Sequence, residues 1–247
     1  MRIALIGNSH LGAMKGGWEL PDFNRGGVEA VFFGAPGNGL VGMHLRDGAL
    51  LPVSDASRRY MKVTSGGLDR VGSAYDAYAI VGYFGIGFVA DVLVGHRTLE
   101  YLEGRSAPIS RAALRAAARD ALSNTPALQL LQKLRHLTAA PVLLVADPLP
   151  NPRISEVDVS GRWELGHMPL VVTAYQEALE DLGRSTGAAI VTQPPETILA
   201  PCFTQPRFAL DHPEHGLRHM TAEYGSLVMR DVLLSLSAIP KEKERAV

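Results

Sequence analysis

The sequence predicts an α/β protein, a three-layer α/β/α sandwich around a parallel sheet of about five strands. Three observations predict it. Short, almost wholly apolar runs recur along the chain, each closed by glycine or proline, as strands covered on both faces require. Longer stretches rich in Ala, Leu and Arg separate them, and such alternation implies parallel strands joined by helical crossovers. A length of 247 residues with 47% hydrophobic side chains suits one sizeable core.

The first strand is Arg2-Ile-Ala-Leu-Ile6, closed by Gly7, and a helix start or turn follows over Ser9–Met14. Val28–Phe33 reads as the second strand, closed by Gly34-Ala-Pro-Gly-Asn-Gly39. Ala77–Val81 is the third, closed by Gly82-Tyr-Phe-Gly85, and Pro141–Ala146 the fourth, closed by Asp147-Pro-Leu-Pro150. Ala188–Thr192 is a weaker fifth. Ser110–His136 has helical spacing, with Asn124-Thr-Pro126 breaking it in two. Met168–Ser185 and Thr221–Leu236 are further helices. Leu50–Val71 fits less well and reads as an inserted β-hairpin. We expect a single domain over 1–239, with a frayed charged tail over 240–247. The sheet is expected to be of the flavodoxin-like kind, in which ligands gather at the C-terminal ends of the strands.

Composition narrows the function. With 24 basic and 25 acidic side chains the formal charge is -1, so no field of one sign points to nucleic acid or an anionic membrane. No apolar run approaches the roughly 18 residues needed to span a bilayer, and the N-terminal run is too short for a signal peptide. The expected location is the cytoplasm. Cys202 is the one cysteine, and it is read as a packed side chain. No phosphate-binding glycine loop occurs, and no cofactor is expected. The expected partner is a small molecule, and the sequence is silent on oligomeric state.

Chemistry concentrates at two places. Gly7-Asn-Ser-His10 follows the first strand. A strand-to-helix turn exposes a hydroxyl beside unpaired helix N–H groups, so Ser9 is either a nucleophile or a helix cap. A nucleophilic serine needs a base and oxyanion donors. The base would come from Leu210–Gly225, where His212, His215 and His219 lie with Asp211 and Glu214. Pro213 and Gly216 argue for a loop there rather than a helix, and a loop of this kind can bring an imidazole to a serine on another strand, with a carboxylate behind it. Tyr83 and Phe84, at the end of the third strand, read as pocket wall.

Gly-Asn-Ser-His resembles the Gly-Asp-Ser block of the SGNH (GDSL-like) hydrolases, and His219-Met-Thr-Ala-Glu-Tyr-Gly225 is similar to their final histidine block. Gly34-Ala-Pro-Gly-Asn38 resembles the second block, whose glycine N–H joins the oxyanion hole. The resemblance implies a serine esterase, acting on an acyl or acetyl ester of a small polar molecule or carbohydrate through an acyl-serine. Its implied catalytic residues are Ser9 and His219 (or His215), with Gly37 as an oxyanion donor, and Asp211 of the same loop is read as the acid that orients the imidazole. Asn8 stands where the family has aspartate. Phe84 stands where the third block has asparagine, and Gly216 where the supporting aspartate sits. The missing donor would come from Asn38, Asn8 or His10. Two alternatives follow: a weak or inactive ligand-binding module on the same fold, and a metal-dependent hydrolase using the histidine loop.

Overall fold

The computed structural model describes residues 1–101, 106–160, 162–163, 166–199, 202–212 and 217–239. Five parallel strands form its central sheet: β1 (Arg2–Gly7), β2 (Glu29–Gly34), β3 (Ala77–Val81), β4 (Val142–Val145) and β5 (Ala189–Val191). Their spatial order is β2-β1-β3-β4-β5, the doubly wound arrangement with its switch between β1 and β3. These strands lie within two residues of their sequence-predicted positions.

Among the described residues eight α-helices accompany them: α1 (Leu11–Trp18), α2 (Asp55–Ser65), α3 (Ile86–Val92), α4 (Arg111–Ser123), α5 (Pro126–Leu137), α6 (Ile154–Val157), α7 (Met168–Thr186) and α8 (Ala222–Ser237). Strand residues alternate between two cores, as a period of two demands. Ile3 and Leu5 face Met14, Trp18, Val228 and Val232 of α1 and α8. Ala4 and Ile6 face the opposite core, which holds Met61, Leu114, Leu134 and Leu179. Three layers result, and both faces of the sheet are covered. None of the described helices is long and apolar enough to cross a membrane.

Gly17 and Gly225 bring α1 and α8 into backbone contact: a Cβ at Gly225 would lie 1.8 Å from the Ala13 carbonyl, and one at Gly17 2.1 Å from the Ser226 nitrogen. Only glycine permits that approach. It ties the element after β1 to the element after the histidine loop.

The expected hairpin over 50–71 is corrected. The hairpin is displaced to His44–Arg46 and Ala49–Leu51, with Val71–Gly72 as a third antiparallel strand. Asp55–Ser65 between them is helix α2. Ser54 caps it by accepting the Ser57 N–H, and Gly66 ends it at φ 74°. Ser57 and Met61, one turn apart, are its buried residues. The tail at 240–247 lies outside the described residues.

Candidate active site

β1 ends at Gly7, where the chain turns sharply. The Leu11 N–H bonds the Asn8 carbonyl, the Gly12 N–H bonds that of Ser9, and Asn8 Oδ1 accepts the His10 N–H at 3.0 Å. His10 occupies the N-cap of α1 without a side-chain bond, so Ser9 does not cap the helix. Its exposed hydroxyl instead meets His219 Nε2 at 2.8 Å.

His219 is delivered by a short antiparallel pairing. Ala209 bridges Met220, the Leu210 N–H bonds the His219 carbonyl, and the Thr221 N–H bonds the Phe208 carbonyl. Thr221 then caps α8 through the Tyr224 N–H. Residues from the two ends of the chain therefore meet at the C-terminal edge of β1.

The structure does not bring Asp211 to His219 among the described residues. Asp211 is exposed, and no hydrogen bond or ion pair joins it to His219 among those residues. The bridge sets Leu210, not Asp211, against His219, and the chain bends away at Asp211. His215 lies outside the described residues.

Sequence reasoning missed the carboxylate that does enter the site, Asp147, just beyond β4. Oδ2 accepts the Phe84 N–H at 3.2 Å, and Oδ1 lies 3.2 Å from His10 Nε2. Two glycines make room for it. A Cβ at Gly82 would sit 2.6 Å from Asp147 Oδ1, and one at Gly85 2.7 Å from Oδ2. Gly82-Tyr-Phe-Gly85 is therefore a cradle for a carboxylate. The Phe84 ring, expected as pocket wall, is completely buried in the core. Its backbone N–H is what reaches the site. Asp147 follows a strand's C-terminal end, the signal that marked the other turns.

His10 packs beside His219, with ring centroids 5.7 Å apart. Burial, outweighing the attraction of Asp147, holds its pKa below the ordinary 6.5, and Arg218 pushes the same way. A cleft of about 280 Å³ opens here, walled by Asn8, His10, Asn38, Tyr83, Asp147 and Trp163. Tyr83 holds a strained φ of 71° to face it. At its far side Arg162 bonds Asp91 at 2.7 Å. Arg218 also borders the cleft, and none of Asp91, Arg162, Trp163 or Arg218 stood out in the sequence.

Gly37 (φ 53°) and Asn38 form the exposed turn after β2. Among the described residues the N–H groups of Ser9, Gly37 and Asn38 are bonded to no acceptor. Among those residues, too, no group of three His, Cys, Asp or Glu side chains could hold a metal ion.

Fold and site together define a doubly wound α/β protein with a serine–imidazole pair at the C-terminal edge of its sheet. Among solved structures the chain is similar to an extracellular lipase from Streptomyces rimosus, at 14% identity over 95% of this chain and 99% of that one, with a TM-score of 0.49. It is similar also to a carbohydrate acetylesterase family member from Sinorhizobium meliloti, at 12% identity over 95% and 96% of the two chains and a TM-score of 0.45. A third is a GDSL-like lipase from Bacteroides thetaiotaomicron, at 13% identity over 96% and 86% and a TM-score of 0.40. Neither a family model nor a curated protein matches the chain. The chemistry therefore rests on the side chains themselves.

Proposed function

We propose that this protein is a serine ester hydrolase of SGNH type, acting on an ester of a small polar molecule through an acyl-serine intermediate. One observation carries the reading: an exposed serine hydroxyl 2.8 Å from an imidazole nitrogen, at the edge of the sheet where ligands gather. Ser9 Oγ attacks the acyl carbonyl as His219 Nε2 takes its proton. The N–H groups of Ser9 and Gly37, with Asn38, receive the oxyanion. His219 returns the proton to the leaving alcohol, and water, activated by the same nitrogen, releases the acid. The small cleft beside the pair, lined by Asn8, His10 and Asp147 as well as by Ile86, Phe88 and Trp163, favours a compact ester carrying a polar group over a long acyl chain.

A fluorophosphonate probe tests this. The expected result is labelling of Ser9 together with hydrolysis of p-nitrophenyl acetate, both lost in Ser9→Ala. The absence of an asparagine side chain at position 84 favours a second reading, a binding module without turnover. An intact protein that is neither labelled nor active would establish it.

A further inference from the structure

Four polar atoms on the walls of the cleft are buried without a hydrogen-bond partner among the described residues: Asp147 Oδ1, His10 Nδ1, Tyr83 OH and Trp163 Nε1. Buried polar groups are nearly always satisfied, so such a group calls for a ligand or a water. Asp147 is the informative member. Its Oδ2 is engaged by the Phe84 N–H. Its Oδ1 stands 3.2 Å from His10 Nε2, yet the two lack the alignment of a hydrogen bond. Against a carboxylate, the stable tautomer of a neutral His10 carries its hydrogen on Nε2. The pair thus offers one acceptor and one donor, 3.2 Å apart.

We propose that Asp147 and His10 form a specificity subsite that takes a hydroxyl group of the substrate, next to the ester that Ser9 attacks. The hydroxyl donates to Asp147 Oδ1 and accepts from His10 Nε2. An anionic group is rejected there by the carboxylate. A methyl in the same place leaves both polar atoms unsatisfied, and a site built for a hydroxyl discriminates strongly against its absence. The glycines at 82 and 85 serve this function, since a side chain at either position would displace the carboxylate. The assignment rests on the esterase reading for its position beside Ser9, but not for the binding of the hydroxyl.

The test compares two esters of equal size, 2-hydroxyethyl acetate and n-propyl acetate. The wild-type protein should prefer the first by about 10- to 100-fold in kcat/KM, the worth of a hydrogen bond to a charged group. In Asp147→Asn the amide oxygen keeps the Phe84 N–H and turns its NH₂ toward His10, so two donors face each other and the acceptor is gone. Both Asp147→Asn and His10→Gln should lose most of the preference, through the hydroxylated ester alone. Equal losses on both esters, or a wild type indifferent to the hydroxyl, would overturn the subsite. Should Asp147→Asn fail to fold, His10→Gln decides. Binding is read separately by saturation-transfer NMR on Ser9→Ala, which removes the attacking hydroxyl. A stronger signal from 2-hydroxyethyl acetate, abolished by His10→Gln, supports the subsite even if the wild type hydrolyses neither ester, whereas equal signals from both esters refute it.

Discussion

The hydroxyl of Ser9 and Nε2 of His219 stand 2.8 Å apart, although 210 residues separate them. The turn after β1 sets one and the bridge between Ala209 and Met220 sets the other. In the proposed mechanism the two act as a unit, so their losses should not add. Ser9→Ala and His219→Ala are each expected to lower kcat/KM on p-nitrophenyl acetate by about 10³-fold or more. The double variant should be no worse than the poorer single one. Neither side chain belongs to the hydrophobic core, so unfolding free energies from urea titrations should shift by no more than about 0.5 kcal/mol. Multiplying losses in the double variant would show that the two groups work independently.

The packing of α1 on α8 carries that geometry. In Gly225→Ala the new carbon would meet the Ala13 carbonyl at 1.8 Å, and the helices must separate. We expect a cost of about 3 kcal/mol, a fall in Tm of roughly 6–12 °C, and a loss of activity as His219 moves from Ser9. Gly12, on the same helix, has nothing within 4 Å of a Cβ. Gly12→Ala should therefore stabilise, by about 0.5 kcal/mol, because alanine loses less backbone freedom on folding. Calorimetry on the pair separates helix contact from helix propensity.

Asp211→Asn should leave kcat/KM within about twofold of wild type, because this exposed carboxylate touches neither His219 nor the cleft. A loss of 10²-fold or more in steady-state assays would show that the loop rearranges to bring Asp211 to the imidazole.

What the sequence revealed and what it hid divide along a physical line. The five core strands and the break at Asn124-Thr-Pro126 are written in local periodicity and punctuation, and α4 and α5 meet there. Ser9 and His219 stood out because each is the polar residue of a turn beside an apolar element. Helix α2 was masked by Arg59-Tyr-Met-Lys-Val-Thr64, whose β-branched residues and alternation imitate a strand. Its true signals are the Ser54 cap and Gly66. Asp211 was read from nearness in sequence, which says nothing about the direction of a bend, and among the described residues it makes no bond to His219. Asp147 was hidden for the converse reason: its partners, Phe84 and His10, lie 63 and 137 residues earlier, and only the fold brings the three together.

The neutrality of His10 has a consequence for stability. Burial holds its pKa below 6.5 in the folded protein, with Asp147 drawing it up and Arg218 pushing it down; the His219 ring lies alongside, 5.7 Å away. Unfolded, the ring takes up a proton near its ordinary value. Below about pH 6.5 the unfolded chain therefore binds more protons at this site than the folded one, and stability falls as the pH falls. Above that value the site contributes no slope. Urea midpoints at pH 7.5 and 5.5 should show wild type losing more stability on acidification than His10→Gln, since other titrating groups contribute to both proteins. Equal losses would mean that the folded protein accommodates a protonated His10, and the subsite would then present a cation beside Asp147 instead of a neutral donor.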